Sequence, residues 1–403
     1  MRILMLNNEF PPLGGGTGVV NYHLLREMAK YNDLYVDLIT SSRTRDRHER
    51  EEFTPRITIY KVPVGNKNIH HSSNRELLTY AGRGLLLSQR LLKKHRYDLS
   101  FAFAGVPAGA ISYTLKKMTG LPYLVSLQGP DVPGFEARYN YLYPFLKPIL
   151  RRIWGNAAVV TAISKEHQDL AHQTMSDLEI PIIYNGVDTR TFRPAAEHRQ
   201  GLEVNILCVG RLIERKGQHH LLHAFANLRI RCNHRIHLML VGTGDAKELL
   251  QGLAAQLDIA DMVTFTGLVS RDDMPAAYRQ ADIFVLPSQN EGMSIAVLEA
   301  MASGLPVVVT DTGGTAELVR EGVNGYIVPW ADAPALTDAL VALALDEQAR
   351  RRMGQESRQA ALRFEWPTVT REYVGLFTQV AQPTFTAVPH STSVVPLRSN
   401  KAN

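Results

Sequence analysis

Short apolar segments alternate with helical stretches along the chain in two successive blocks, and this alternation constrains the fold more than any other feature. It is typical of parallel α/β sheets. In the first block, strands are predicted at Arg2–Leu6, Leu34–Thr40, Ile57–Val62, Leu99–Phe103, Tyr123–Ser126 and Ala158–Ala162. In the second block, they are predicted at Val204–Val209, His237–Val241, Met262–Phe265, Asp282–Leu286, Val307–Thr310 and Gly325–Val328. The pattern predicts two doubly wound, Rossmann-like domains that face each other across a cleft.

The segment between the two blocks indicates where one domain ends and the next begins. Residues 186–201, GVDTRTFRPAAEHRQG, are polar, lack periodicity and contain a proline, so we interpret them as a linker. The first domain is therefore predicted to span residues 1–188 and the second residues 200–365. A last helix is expected at about 366–381, and residues 383–403 are predicted to be a disordered tail. Ligands of doubly wound sheets bind beyond the carboxyl ends of the strands, so we expect the site in the cleft.

Composition excludes several classes of protein. Of 403 residues, 45% are hydrophobic and 21% are charged, as in soluble globular proteins. Two cysteines, Cys208 and Cys232, are too few for a disulfide framework and are expected to be buried packing residues. The opening MRILMLNNEF is predicted to be a strand and not a signal peptide, and the uncharged stretch Leu99–Leu115 is broken by proline and glycine. A net charge of +5 suits phosphate-bearing substrates or an anionic membrane surface, and is too small to indicate nucleic acid.

The run from Val285 to Glu317, VLPSQNEGMSIAVLEAMASGLPVVVTDTGGTAE, places two carboxylates around the start of one helix. Ser294 is predicted to cap this helix, and Glu291 lies in the loop just ahead of it. Glu299 lies about a turn and a half inside, and helical side chains lean back toward the N-terminus. Because free N–H groups at a helix start bind anions, a phosphate there with hydroxyl groups on either side describes a nucleotide sugar. The alternative is two unrelated glutamates in an ordinary α/β repeat.

The loops after the first strand of each block carry residues suited to phosphate. In NNEFPPLGGGTGVV, Gly14, Gly15 and Gly16 allow the backbone to approach a phosphate closely, and a helix begins at about residue 17. In VGRLIERKG, Arg211 and Lys216 are placed to reach one diphosphate, whose charge grows as it leaves. The alternatives are a flexible turn for the glycines and a solvated basic loop for Arg211 and Lys216.

Other nucleotide and metal chemistries are disfavoured by the sequence. Val19 stands where the dinucleotide fingerprint requires its third glycine, and no acidic residue follows the second strand, so a pyridine-nucleotide oxidoreductase is not expected. His219 and His223 share a helical face without a third ligand, which favours an ordinary helix surface over zinc. An Asp-x-Asp pair, which typically holds a metal–diphosphate, does not occur in the sequence.

Two further loops at the carboxyl ends of strands contain candidate residues. In SLQGPDVPG, Gln128 can hydrogen-bond a sugar hydroxyl, whereas Asp131 either acts on an acceptor or caps the next turn. In VGTGD, Gly242 begins a strand-to-helix turn that either faces the bound nucleotide or is a plain tight turn.

Together these motifs resemble those of retaining glycosyltransferases of family 4, which have the two-domain GT-B fold. The resemblance covers residues 1 to about 382. Its most specific element is the pair of glutamates, with seven residues between them, in EGMSIAVLEAMASGLPVVVTDTGG. The motifs GRLIERKG, PPLGGGTG, YNGVD (residues 184–188) and VGTGD support it.

The resemblance implies a role for each matching residue. Arg211 and Lys216 would bind the donor diphosphate, Glu299 the ribose hydroxyls and Glu291 the hydroxyls of the donor sugar. Further donor contacts are implied at Gly15, Gly16, Leu268, Val269, Gly292, Met293 and Ser294. Many relatives carry histidine where this chain has Gln128, and a glutamine can orient a hydroxyl but cannot act as a base. Neither a cofactor nor a metal is expected.

The implied reaction transfers a sugar from a nucleoside diphosphate sugar, with UDP favoured on family frequency, to a hydroxyl of a glycan or glycolipid. The stretch 138–156, RYNYLYPFLKPILRRIWGN, interleaves apolar and basic residues. It either packs on its own sheet or attaches to an anionic membrane, as a lipid-linked or surface-polysaccharide acceptor would require. Its predicted apolar face contains Leu142, Phe145, Leu146, Ile149, Leu150 and Ile153, and further basic character comes from His70, His71, Arg75, Arg83 and residues 90–94. The expected location is the cytoplasm, and the membrane alternative would place the protein at the inner face of the membrane.

Three other interpretations remain open. A soluble glycosyltransferase acting on a sugar phosphate or small metabolite differs only in its acceptor. A nucleotide-sugar epimerase with the GT-B fold would share the architecture, but the family-4 motifs argue against it. A non-catalytic partner subunit is disfavoured because Arg211, Lys216, Glu291 and Glu299 are all present.

Overall fold

The structure is a computed structural model that describes residues 1–69, 72–136, 139–196 and 203–382. Several of the sequence predictions fall outside these ranges: the basic pair His70 and His71, the first residue of the stretch 138–156, the end of the linker, and the tail at 383–403.

The first sheet is built from residues 2–161. Its strands are β1 Arg2–Leu6, β2 Tyr35–Ser42, β3 Glu49–Thr54, β4 Ile57–Pro63, β5 Leu99–Phe103, β6 Tyr123–Ser126 and β7 Val159–Thr161, in the spatial order β3-β4-β2-β1-β5-β6-β7. All neighbours are parallel except β3, which pairs antiparallel with β4 at the edge. The sequence analysis missed β3, because its EREEFT sequence is charged and lies on an exposed edge, where apolar alternation is not needed.

The second sheet is parallel throughout the described residues. Its strands are β8 Glu203–Val209, β9 Arg235–Val241, β10 Val263–Gly267, β11 Ile283–Leu286, β12 Val307–Thr310 and β13 Gly325–Val328, in the order β10-β9-β8-β11-β12-β13. The order reverses beside β8, as in doubly wound sheets. The two predicted blocks of strands are therefore confirmed. Cys208 and Cys232 are both buried in the core beneath this sheet, as predicted.

Helices cover both sheets. They are α1 Gly16–Met28, α2 Asn74–Lys94, α3 Ala110–Thr119, α4 Tyr143–Asn156, α5 Lys165–His172, α6 Gln218–Arg231, α7 Lys247–Gln256, α8 Met274–Arg279, α9 Ile295–Ala302, α10 Gly313–Ala316, α11 Ala333–Leu345, α12 Glu347–Ala361 and α13 Trp366–Ala381. Ser294 caps α9 as predicted, since its side chain accepts a hydrogen bond from Val297 N at 3.4 Å. This cap fixes the position at which the two motif glutamates enter the site.

The last helix, α13, returns from the second sheet to the first. Its buried Tyr373 and Phe377 pack on Phe101 of β5, with ring centroids 5.1 and 5.0 Å from that ring. At its start, Trp366 stacks on His23 of α1 at 5.1 Å. The chain thus crosses between the two sheets twice, and both crossings meet where Val187 pairs with Glu365. The domain boundaries remain a prediction.

Helix α4 differs from the prediction made for the stretch 138–156. The prolines of this stretch weaken the case for a regular helix from sequence alone, yet Pro148 lies inside a continuous helix. The predicted apolar face is divided: Leu150 and Ile153 are buried together with Tyr143 and Trp154, whereas Phe145 and Ile149 are exposed. The helix therefore packs on its own sheet with one apolar side and presents a second apolar side outward. None of the helices within the described ranges is both long and apolar enough to cross a membrane.

Candidate active site

The glycine loop of the first sheet faces the start of α9 in the second. A Cβ atom placed on Gly16 would lie 3.9 Å from Ile295 Cδ1, and one placed on Gly15 would meet no atom within 4 Å. Gly15 therefore borders open space between the two sheets. Loops from the carboxyl ends of β1 and β11 thus meet in the predicted cleft, on opposite sides of that space.

Helix α5 closes one side of this cleft. A Cβ atom on Gly292 would lie 2.7 Å from His167 Cε1, so the loop ahead of α9 packs directly on the first turn of α5. His167 is fully buried, packs on Phe135 with ring centroids 4.5 Å apart, and accepts or donates a hydrogen bond at Nδ1 to Ser164 Oγ, 2.9 Å away. Burial lowers the pKa of His167 to about 4, so it is neutral at physiological pH. The sequence analysis missed this residue, because only the fold brings α5 beside Gly292.

Lys216 and Glu291 form an ion pair at the entrance to α9. Glu291 Oε1 also accepts a hydrogen bond from Ser288 Oγ at 2.6 Å. Burial raises the pKa of Glu291, but the charge of Lys216 and the hydrogen bonds from Lys216 and Ser288 outweigh it, so the pKa lies below its ordinary value. Glu291 is thus a carboxylate that can accept from sugar hydroxyls. Because an ammonium group has three donors, Lys216 can hold Glu291 and a phosphate at the same time.

Glu299 lies one helical turn deeper. Its Oε2 accepts a hydrogen bond from the hydroxyl of Tyr278 at 2.8 Å. Burial raises the pKa of Glu299 to about 7, although the Tyr278 hydrogen bond and the charge of Arg271 act against this. Tyr278 is fully buried and belongs to α8, so the sequence offered no sign that it supports the motif glutamate.

Glu9 is an acidic residue of the cleft that the sequence analysis did not single out. It lies in the glycine loop, where a Cβ atom on Gly14 would approach its Cβ to 2.5 Å. Burial raises the pKa of Glu9, and a hydrogen bond from Gly15 N and the charge of Arg211 lower it. Glu9 therefore contacts Gly15 and faces Arg211, both of which are expected to bind the diphosphate. Its position directly after the first strand was the available signal.

Gln128 and Asp131 are on one loop but in different environments. Gln128 Nε2 donates to Ser126 Oγ at 2.7 Å, while its side chain is only half-buried. The Asp131 carboxylate accepts from three backbone N–H groups, at Gly105 (2.8 Å), Gln128 (3.2 Å) and Gly129 (2.9 Å). These contacts favour the capping alternative for Asp131, and its action on an acceptor remains a prediction.

The remaining candidate residues lie in the second sheet. Gly242 has a φ of +139°, and any side chain there would collide with the carbonyl oxygen of Gly210, so its glycine is explained by loop packing. Leu268 and Val269 directly follow β10; Leu268 is exposed and Val269 is partly buried. Met293 is buried, and its carbonyl oxygen accepts from Asn185 Nδ2 at 3.2 Å. Asn185 belongs to the YNGVD motif, whose Asp188 pairs with Arg26 of α1 at 2.7 Å.

Within the described ranges, no group of three or more His, Cys, Asp or Glu side chains is arranged to hold a metal ion. The ring centroids of His219 and His220 lie 3.9 Å apart, and His220 packs edge-on against Trp330.

Sequence comparison identifies the class of protein to which this fold and cleft belong. The family described as "Glycosyl transferases group 1" matches residues 190–360, and the family described as "Glycosyltransferase Family 4" matches residues 14–191. The chain is therefore a glycosyltransferase of family 4, with the GT-B fold.

Individual relatives support the same assignment. A GDP-mannose-dependent alpha-(1-6)-phosphatidylinositol monomannoside mannosyltransferase of Mycobacterium tuberculosis is 27% identical over 391 residues, which cover 91% of this chain and 96% of the relative. A D-inositol 3-phosphate glycosyltransferase of Corynebacterium efficiens is 25% identical over 416 residues, with 94% and 95% covered. The solved structure of sucrose-phosphate synthase from Thermosynechococcus elongatus superposes with a TM-score of 0.83 at 21% identity, covering 94% of this chain and 99% of that chain.

The raised pKa of Glu299 predicts a pH dependence of donor affinity. Ribose hydroxyls would donate to the carboxylate form, which the free protein reaches only as pH rises through about 7. Affinity for a nucleotide sugar should therefore increase by up to about tenfold between pH 6 and 8, with proton release on binding. Calorimetric titration checks this, and a sugar-linked diphosphate avoids the titration of a terminal phosphate. Glu299→Gln should bind more weakly and without the pH dependence. An unchanged slope in that variant would assign the titration to another group.

Proposed function

We propose that this chain transfers a mannosyl group from GDP-mannose, with retention of anomeric configuration, to a hydroxyl of a lipid-linked or surface-glycan acceptor. The proposal rests chiefly on the cleft in which the Lys216–Glu291 pair and Glu299 surround the start of α9, opposite Gly15 and Gly16. Cations for a diphosphate, carboxylates for hydroxyls and the backbone of a helix start are thus gathered at one place.

The proposed mechanism assigns the diphosphate to Arg211 and Lys216. Negative charge grows on the leaving phosphate as the glycosidic bond breaks, so fixed cations stabilise the transition state more than the ground state. Glu291 would hold hydroxyls of the reacting sugar, and its negative charge would favour the positive charge that develops on the ring. A same-face displacement, in which the departing phosphate takes the proton of the acceptor hydroxyl, needs no protein base. Gln128 then serves to orient a hydroxyl.

The donor nucleotide is proposed from the relatives. The Mycobacterium tuberculosis mannosyltransferase is GDP-mannose-dependent by name and matches nearly the whole chain, which gives GDP-mannose priority over the UDP sugar expected from family frequency. The acceptor follows the same relative, which acts on a phosphatidylinositol monomannoside by name. The inositol phosphate enzyme supports the alternative of a small phosphorylated acceptor.

A surface of the first domain favours the lipid-linked acceptor. Helix α3 contacts both α2 and α4. We define the α2–α4 surface by the exposed side chains Leu78, Leu86, Arg90, Lys93, Lys94, Phe145, Ile149, Arg151 and Arg152. Exposed apolar side chains with basic neighbours suit insertion among the headgroups of an anionic bilayer.

A panel of nucleotides tests the proposed donor. GDP should raise the melting temperature in thermal-shift measurements more than UDP, ADP or dTDP, since a ligand of the native state stabilises it. Calorimetry in EDTA should still give binding, because Arg211 and Lys216 would replace a metal. Binding lost on chelation would contradict metal independence. A shift with UDP alone would restore the UDP donor, and no shift with any nucleotide would overturn the proposed activity.

Sedimentation with phosphatidylglycerol vesicles tests the α2–α4 surface. Binding should occur at low salt and weaken near 0.1 M salt, where charges are screened beyond about 10 Å. Phe145→Ser combined with Ile149→Ser should reduce binding several-fold. Ile230→Ser is a matched control, because this equally apolar side chain is 82% exposed on α6 of the other domain. Absent binding at low salt would favour the soluble acceptor.

The two motif glutamates should fail differently when they are truncated. Glu299→Ala removes a charged hydrogen bond to ribose that is present in substrate and transition state alike. The free energy of nucleotide binding should weaken by about 1.5–3 kcal/mol, and the donor KM should rise accordingly. Glu291→Ala should chiefly lower kcat. Since it also releases Lys216, bare nucleotide should bind this variant at least as well as wild type. The assignment would be contradicted if Glu291→Ala lost the binding of bare nucleotide while Glu299→Ala kept it.

A further inference from the structure

A chain of buried side chains links the last helix to Gln128. Gln128 Nε2 donates to Ser126 Oγ at 2.7 Å, and Ser126 Oγ lies 2.9 Å from the hydroxyl of Tyr373 on α13. Ser126 is fully buried and Tyr373 is 2% exposed. Thr161 is close enough to influence the pKa of the Tyr373 hydroxyl, although its buried Oγ1 has no hydrogen-bond partner of regular geometry within the described residues. Residues almost 250 positions apart in the chain therefore share one polar contact beneath the cleft.

The amide of Gln128 indicates one direction of donation along this chain of side chains. Because Gln128 Nε2 donates to Ser126 Oγ, Ser126 can donate its own proton to the hydroxyl oxygen of Tyr373. Burial raises the pKa of Tyr373 to about 12, so its hydroxyl stays neutral. The amide nitrogen of Gln128 then lies toward Ser126, and Oε1 lies on the opposite side of the amide.

We propose that Tyr373 is a positioning residue that, through Ser126, fixes the amide of Gln128 so that its oxygen, an acceptor only, faces the substrate. Gln128 then selects a substrate group that donates, which is a hydroxyl, and disfavours a position that carries only an acceptor. This rests on the proposed function, since the substrate hydroxyl belongs to the sugar donor or acceptor bound there. An amide free to turn over would present either its oxygen or its nitrogen and would not discriminate in this way. The contact with α13 restricts it to one orientation.

Tyr373→Phe tests the relay because it removes one hydroxyl and keeps the ring that packs on Phe101. Ser126 then regains a proton that it can donate to Gln128 Oε1, and the amide can turn. We expect kcat/KM to fall about tenfold, the effect of one misplaced hydrogen bond. Ser126→Ala should give a similar loss. In a Gln128→Ala background, Tyr373→Phe should change kcat/KM less than twofold.

Tyr123→Phe is the matched control for loss of a buried tyrosine hydroxyl. Tyr123 lies on the same strand as Ser126, is fully buried and donates to the carbonyl oxygen of Ile153, away from Gln128. It should leave kcat/KM near wild type at temperatures where both variants are folded. An equal loss in the presence and absence of Gln128 would overturn the relay, as would full activity of Tyr373→Phe.

A readout independent of turnover separates this inference from the proposed function. In protein with isotope-labelled glutamine side chains, the amide resonance of Gln128 is the one absent from Gln128→Ala. It should show slow exchange with solvent in wild type and in Tyr123→Phe, and faster exchange or a shift in Tyr373→Phe. An unaltered resonance in Tyr373→Phe contradicts the relay even if the wild type proves inactive with every nucleotide sugar.

Discussion

The candidate site depends on close approaches, permitted only by glycine, between loops of the second sheet and helix α5. A side chain on Gly292 would strike His167 of α5, and one on Gly314 would strike both the Gly292 carbonyl oxygen and Ser164, the cap of α5. Asn290 adds a hydrogen bond to the Phe135 carbonyl oxygen across the same boundary. These close approaches bring the start of α9 against the first domain and leave Gly15 open beside it. The electrostatics of the cleft follow from this approach, because they require charges from both sheets to share one space.

Within that space, carboxylates and cations lie close enough to offset one another's charge. Glu291 pairs with Lys216, Glu9 faces Arg211, and Glu299 is influenced by Arg271, whose guanidinium lies 4.5 Å above the ring of Tyr22. A diphosphate entering the cleft replaces part of this internal compensation with its own negative charge. Glu9 is the group most affected, because it accepts from the Gly15 N–H that a phosphate would use. Burial raises the pKa of Glu9, and the negative charge of a diphosphate nearby would raise it further, so donor binding favours proton uptake by Glu9.

Sequence reasoning recovered what local patterns determine. Apart from the charged edge strand β3, the strands of both sheets follow from apolar runs. The cap of α9 follows from Ser294, so the placement of Glu291 and Glu299 around a helix start could be derived. The partners of these residues could not. Tyr278 and His167 belong to other helices, and their proximity to the motif arises only when the sheets pack. Helix α4 shows the same limit, because periodicity defined its apolar residues but not which of them would face the protein.

The last helix, α13, carries the described part of the chain back from the second sheet to the first. Trp366 lies beside the crossing at Val187 and stacks on His23, while Phe377 anchors the helix on β5. Both chain crossings are thereby held on the first sheet. The same helix buries Tyr373 beneath the carboxyl end of β6, where its hydroxyl contacts the Ser126 side chain that binds Gln128. A single element therefore holds the crossings between the two sheets and supports a candidate site residue. A substitution in α13 that loosened the helix would be expected to disturb domain alignment and substrate orientation together, whereas loss of the Tyr373 hydroxyl alone touches only the second.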